Sequence, residues 1–310
     1  MTARILPFDD IAIAEAARLI AAGQPVAVPT ETVYGLAADA TRGDAVAAIY
    51  AAKGRPSFNP LIVHVLDLAT AERLADMPEA ARRLARVFWP GPLTIVAPIK
   101  PGAGIATLTT AGLPTIALRV PAHPAMRALL TATARPLAAP SANASGTISP
   151  TRARHVFGSL GAAIPLIVDA GPASVGLEST IVAIGADAIR ILRPGPITAE
   201  QLAEVAGLPI DQGTSTAIEA PGQLAQHYAP SKPLRLNADA ARDGEWLIGF
   251  GAIAGDVSLS RSGDTREAAV RLFDLLHLAD ANEAATIAVA PIPDVGLGVA
   301  INDRLRRAAA

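Results

Sequence analysis

Cysteine is absent from all 310 residues. That excludes disulfides, thiolate nucleophiles and cysteine-ligated zinc together, and it suits a reducing compartment. Histidine is scarce, with five copies, and no two have the helical spacing of a metal site. The chain also lacks a Gly-x-x-x-x-Gly-Lys-Ser/Thr phosphate loop, a Gly-x-Gly-x-x-Gly turn and a Gly-x-Ser-x-Gly elbow. These gaps speak against a nucleophilic triad and a zinc hydrolase. Aromatics supply only 4% of the chain, so the core must be built from Ala, Val, Ile and Leu. A net charge of −2 argues against a surface given over to nucleic acid, although a local basic cleft remains compatible with it. The first ten residues have no apolar signal-peptide core. The apolar run at 11–22 is interrupted by Glu15 and Arg18 and is too short to span a bilayer. The expectation is a soluble, cytoplasmic protein without a membrane partner.

What the chain does have is apolar residues, 51% of the total over a length that suits two domains. Through residue 207 short apolar runs alternate with helical patterns, which predicts an α/β fold. Strands are expected at 26–28, 61–65, 93–99, 115–120, 137–139, 165–168, 180–184 and 189–192. Helices are expected from Asp9 or Asp10 to Gly23, at 43–52, at 67–88 with a break at Pro78, at 124–132, at 151–160, and from Thr198 to Gly207. The pattern fades over 208–232, whose composition is that of a linker, yet His227 and Tyr228 are odd choices for a passive tether. A smaller α/β unit is expected over 233–310, with strands at 246–250 and 286–290. Its helices run from Asp264 or Thr265 to 279 and from 298 to 309.

Chemistry-bearing groups follow the apolar runs. The loop Lys53-Gly54-Arg55-Pro56-Ser57-Phe58-Asn59-Pro60 carries two cations on a stretch that its prolines should keep out of a helix. Such a pair suits an anionic, phosphorylated ligand. Pro29 to Leu36 supplies hydroxyls after a strand, for a polar ligand or for an N-cap and turn. His64 sits in an apolar run, where a satisfied core residue is the ordinary reading. Arg119 ends another run and needs an anion, either Glu31, Glu178, Asp169 or a ligand carboxylate. Residues 139–151 form a hydroxyl- and amide-rich loop leading into a helix expected at Thr151, whose N-terminus would attract phosphate. Gly176-Leu177-Glu178-Ser179-Thr180 and Arg193-Pro194-Gly195 complete the set. Cations, hydroxyls and amides hold and polarise an anion rather than attack it, which is the profile of phosphoryl or nucleotidyl transfer.

Lys53-Gly54-Arg55 with Ser141-Ala142-Asn143 resembles the KxR…SxN signature of the YrdC-like family, the L-threonylcarbamoyladenylate synthases. Pro29 to Leu36, Trp89-Pro90-Gly91-Pro92-Leu93-Thr94, the Gly176 segment through Val182 and Arg193-Pro194-Gly195 resemble further family motifs in the family's order. His227-Tyr228-Ala229-Pro230 and the small second unit resemble the two-domain branch. The resemblance implies a twisted α/β catalytic domain at 1–207 with a basic concave cavity, a linker or lid at 208–232, and a smaller Rossmann-like α/β domain at 233–310. It implies synthesis of threonylcarbamoyl-AMP from L-threonine, bicarbonate (or carbon dioxide) and ATP, with Mg2+, and a downstream tRNA threonylcarbamoyl-transferase complex; direct tRNA contact stays open. Carried over, Lys53 and Arg55 stabilise the departing charge. Lys53, Arg55, Asn59, Thr115, Asn143, Thr151, Arg193 and Tyr228 hold ATP. Thr32, His64, Arg119, Ser141 and Ser179 line the threonine pocket. No metal ligand is assigned to the protein. The competing reading is an RNA-binding module without adenylate synthesis, against which charge and aromatic content count. A carbamoyl-transfer module of hydrogenase maturation would bring cysteine-rich zinc fingers, which this chain lacks.

Overall fold

The computed structural model describes residues 2–56, 58–211 and 227–310. Ser57 of the basic loop and residues 212–226 of the expected linker lie outside the described residues. In chain order the elements are β1 (Arg4–Pro7), α1 (Asp10–Ala21), β2 (Val26–Pro29), β3 (Tyr34–Asp39), α2 (Gly43–Lys53), β4 (Ile62–His64), α3 (Leu68–Leu74) and α4 (Glu79–Phe88). They continue with β5 (Leu93–Pro98), β6 (Thr115–Arg119), α5 (Pro124–Thr133), β7 (Leu137–Ala138), α6 (Ala153–Leu160), β8 (Leu166–Asp169), β9 (Thr180–Ile184), β10 (Ile189–Arg193), α7 (Ala199–Ala206) and β11 (Ile210–Asp211). A second set holds β12 (Leu234–Arg235), β13 (Glu245–Gly249), β14 (Val257–Ser258), α8 (Thr265–Asp280), β15 (Thr286–Val289) and α9 (Leu297–Ala308).

Local chemistry sets the helix ends. The Asp9 carboxylate accepts the Ala12 N–H at 2.7 Å and starts α1. Asp67 and Pro78 start α3 and α4, so the expected break at Pro78 divides two helices. Thr198 and Gln201 form a capping box for α7, which ends on left-handed Gly207.

The first eleven strands form one mixed sheet in the order β1-β8-β2-β3-β7-β4-β6-β5-β9-β10-β11. The other four form a parallel sheet, β12-β15-β13-β14. In β4 and β6 alternate residues divide between faces. Val63 and Leu118 enter the main aliphatic core under the helices. Ile62 and Ala117 face the other side, with Val96, Ile181 and Leu192. His64 and Arg119 share that face, and the parallel β4–β6 register sets them side by side.

The two sheets are joined by a common core. Val33, Ile148 and Leu177 from the first pack with Tyr228 and with Leu272, Phe273 and Ile301 of the second. Beside it, Asp274 of α8 accepts from Arg152 at 2.9 Å and Arg154 at 2.8 Å, and the His155 and His277 rings stack at 3.9 Å.

Three features depart from the sequence expectation. Pro29 to Leu36 is not only a loop: Pro29 and Tyr34 pair across a tight β2–β3 hairpin. Helix α2 runs through Lys53 and ends on Gly54 at φ 59°, so the first cation of the basic loop is helical. Helix α6 begins at Ala153, capped by the Arg152 backbone, which leaves Thr151 ahead of it. The short strands β1, β11, β12 and β14 carry too little pattern to be read.

Gly176 takes φ 77°, and a Cβ there would meet Ala269 O at 2.5 Å and Val270 O at 2.7 Å on α8. Gly176→Ala is expected to lower stability by about 2–5 kcal/mol through left-handed strain and overpacking at this joint, as read from urea unfolding. An unchanged midpoint would contradict the close approach.

Candidate functional site

The β2–β3 turn is the first wall. Thr30 Oγ1 donates to Val33 O at 2.7 Å and accepts the Thr32 and Val33 N–H groups, each at 3.2 Å. That self-bonded turn fixes Glu31 and Thr32 against Arg119. Arg119 donates to Glu31 Oε1 at 2.6 Å, Thr32 Oγ1 at 3.0 Å and Gly91 O at 3.3 Å. Glu31 also accepts the Ala122 N–H at 3.1 Å. Burial pushes the Glu31 pKa up, but Arg119 outweighs it and holds the carboxyl below its ordinary value. Of the four partners the sequence offers Arg119, the protein supplies Glu31. Asp169 instead accepts from the Tyr34 hydroxyl at 3.1 Å, and Glu178 accepts from Ser149 and from Arg304.

The basic loop makes the second wall. The Lys53 ammonium donates to Ser141 O at 2.6 Å and to Asn143 O, so it staples the KxR segment to the SxN segment. Burial, with Arg55 nearby, lowers its pKa well below the ordinary lysine value. Arg55 donates to Asn59 O at 3.2 Å and Pro60 O at 3.0 Å. Its pKa is pushed down to about 10 by burial. Asn143 Nδ2 reaches Thr147 O at 2.9 Å. Asn143 Oδ1 and both amide atoms of Asn59 have no partner among the described residues.

The third wall comes from β9 and β10. A bulge between Ile191 and Arg193 re-aims the strand end. Arg193 then donates to Ser179 O at 2.9 Å and Ser179 Oγ at 3.1 Å, while Ser179 Oγ lies 2.7 Å from Thr94 Oγ1.

These walls enclose a cavity of about 50 Å³ lined by Thr32, His64, Ser141, Arg55, Arg119 and Arg193, closed by His227 and Tyr228. Tyr228 takes φ 66° and is buried with its hydroxyl unpartnered. His64 has neither ring nitrogen bonded. Burial, reinforced by Arg119, pushes its pKa down to about 3. Burial does the same for His227, also to about 3. Neutral imidazoles and unused amides surround guanidiniums, and neither Arg55 nor Arg193 has a carboxylate partner among the described residues. Buried guanidiniums that no carboxylate hydrogen-bonds can take an anion.

Six of the expected residues are not in the lining: Lys53, Asn59, Asn143 and Ser179, which bond within the walls described above, and Thr115 and Thr151. Extending the β4–β6 register sets Thr115 beside Pro60, at the end of β6 away from Arg119. Thr151 is buried with its N–H on His155 Nδ1 at 3.3 Å. Sequence reasoning missed Arg304 of α9, which reaches Glu178 at 2.8 Å from the second sheet. Nothing in its helix pattern marks it. Ser149 was also passed over, although its place in the 139–151 loop was a signal.

The chain matches the Sua5–YciO–YrdC family model, described as telomere recombination, over residues 18–195. It also matches the model described as threonylcarbamoyl-AMP synthase, C-terminal domain, over residues 197–310. It is similar to the threonylcarbamoyl-AMP synthase of Bacillus subtilis, 42% identical over 98% of this chain and 94% of the relative. It is similar to that of Pyrococcus abyssi, 38% identical over 94% and 92%. Among solved structures it resembles P. abyssi Sua5 complexed with L-threonine, with TM-score 0.90 and 36% identity over 99% of this chain and 97% of that one.

The depressed histidines make a stability signature. Their folded pKa values, about 3, lie below the unfolded value of about 6.5, so the unfolded chain binds protons first. Stability is complete above about pH 6.5 and falls with pH below it, by about 1.4 kcal/mol per unit for each histidine. Urea unfolding at several pH values should show this, with a shallower fall in His64→Leu. An equal slope in that variant would contradict a buried neutral His64.

Proposed function

The chain belongs to the Sua5–YciO–YrdC family in its two-domain form, and on that footing we propose that it makes L-threonylcarbamoyl-AMP from L-threonine, bicarbonate and ATP. The observation that carries the reading is the pair of buried guanidiniums, Arg55 and Arg193, without carboxylate partners beside the paired Arg119. The threonine amine attacks the bicarbonate carbon, water leaves, and a carbamate forms. A carbamate oxygen then attacks the α-phosphorus, its new O–P bond replacing the bond to the departing pyrophosphate. The carbamate is already anionic, so that step needs no protein base, in keeping with a His64 that stays neutral near pH 7.

On this reading Thr32, His64, Arg119, Ser141 and Ser179 hold threonine. Arg119 has five N–H donors, and three hydrogen bonds leave two for the substrate carboxylate. Lys53, Arg55, Asn59, Thr115, Asn143, Thr151, Arg193 and Tyr228 hold ATP, with Lys53 and Arg55 on the phosphates. Lys53 has three donors, of which two are used on Ser141 O and Asn143 O. Among the described residues no group of three acidic or imidazole side chains is placed to hold a metal. In this proposal magnesium comes with the ATP triphosphate as substrate. Residues 1–207 form the catalytic domain in this proposal, 208–232 a linker and 233–310 a smaller domain. The setting is the cytoplasm, and among the described residues no helix is long and apolar enough to cross a membrane. The product serves a complex that transfers threonylcarbamoyl to tRNA adenosine beside the anticodon.

Pyrophosphate release from ATP should require both L-threonine and bicarbonate. Lys53→Ala should cut ATP use about 100-fold or more, and Arg119→Lys should raise the KM for threonine about tenfold by losing the bidentate fork. Threonine-independent release would overturn the substrate assignment.

The His227–Tyr228 segment acts as a lid that keeps water from carbamate and mixed anhydride. Tyr228→Gly, which suits the positive φ, should raise the ratio of pyrophosphate released to adenylate recovered. An unchanged ratio would refute the lid.

A further inference from the structure

Arg304 lies on α9 beside the second sheet, fully buried, yet two of its bonds leave that unit. Its Nε donates to Glu178 Oε2 at 2.8 Å, and its Nη2 donates to Pro194 O at 3.0 Å. Its guanidinium carbon stands 5.1 Å from the Tyr228 ring centroid, within cation–π range. Its Nη1 donates to Asp303 at 2.6 Å, which Arg307 also holds, at 3.1 Å. One side chain thus ties together the Glu178 segment, the turn after Arg193 and the aromatic that closes the cavity.

We infer that Arg304 is a positioning residue for adenylate formation: it keeps the Glu178 carboxylate neutralised and away from Arg193, so that Arg193 stays available to ATP, and it seats the Tyr228 ring. The inference rests on the ATP reading of the cavity. Glu178 lines that cavity with Arg55 and Arg193. Facing it are Arg304 of α9, Arg193 of β10, Ser149, and His227 and Tyr228 of the linker, with Asp303 bonded to the far side of Arg304. Burial raises the Glu178 pKa, and Arg304 followed by Arg193 brings it below the ordinary value. Without Arg304 the carboxylate would be left to Arg193, the other cation that already acts on it, and would compete with the phosphates. The second unit therefore sets the anion affinity of a site built on the first.

The test measures the KM for ATP in pyrophosphate release, for the full-length wild type, Arg304→Met, Arg304→Lys and the double variant Arg304→Met/Glu178→Gln, from about pH 6 to about pH 9. Glu178 in R304M, stripped of its main counter-charge, should take up a proton at a higher pH than in the wild type. Its KM for ATP should exceed the wild-type value about tenfold or more at the alkaline end and approach it at the acid end. The double variant should lose this pH dependence, and R304K, which keeps a counter-charge on Glu178 but loses the fork to Pro194 O and Asp303, should lose less than R304M and without the pH dependence. A KM unchanged in R304M, raised equally at every pH, or not corrected by E178Q overturns the inference. If R304M does not fold, a soluble R304K with a pH-independent loss of about tenfold or more overturns it, and a smaller one supports it. A wild type that releases no threonine-dependent pyrophosphate refutes the ATP reading itself, which distinguishes that failure from this one.

Discussion

Five cations are buried around one side of the large sheet: Lys53, Arg55, Arg119, Arg193 and Arg304 are each no more than 8% exposed. Removing a charge from water is among the largest costs a fold can carry, and the way each is met organises the site. Arg119 and Arg304 have carboxylates, Glu31 and Glu178. Lys53, Arg55 and Arg193 have mainly backbone carbonyls, which solvate a cation without cancelling it. The protein therefore separates cations with a carboxylate bonded to them from cations held by neutral acceptors. The tight Thr30 turn, the bulge before Arg193 and the Gly54 cap are the backbone devices that keep this division in place.

The same constraint explains the union of the two sheets. Tyr228 and the apolar side chains Val33, Ile148 and Leu177 belong to a core whose other half lies on α8 and α9. The Asp274 clamp and the stacked His155–His277 pair lie on one flank of that contact. Arg304 crosses it to reach Glu178. Burial of apolar surface brings the units together, and the charged contacts fix their register, since an arginine buried out of line would lose its carboxylate. The smaller unit has few chemistry-bearing groups, yet one of its side chains helps set the electrostatics of the cavity.

Local signals carried far along the chain. Caps at Asp9, Thr198 and Asp264, the Gly23 and Gly207 stops and the Pro78 break were legible because each acts within a few residues. The motif segments were legible as polar groups following apolar runs, and Lys53, Arg55, Ser141, Arg119 and Arg193 were named from them. Strands of two residues, such as β12 and β14, show no alternation to read. Helix α2 reaches Lys53 because Gly54 can take the left-handed cap, a one-residue effect that the prolines beyond it obscured.

By itself the sequence determined the α/β alternation, the absence of thiol and zinc chemistry, and the residue types available to bind an anion. These follow from composition and short-range pattern. Only the tertiary structure decided which charge answers which. Glu31 rather than Asp169 or Glu178 pairs with Arg119 across 88 positions, and Arg304 reaches Glu178 across 126. Such choices depend on strand register and on the docking of the second sheet. Coulomb energy in a buried site depends on a few ångströms of separation and on what else is excluded from the space, and neither quantity is written in the order of the residues.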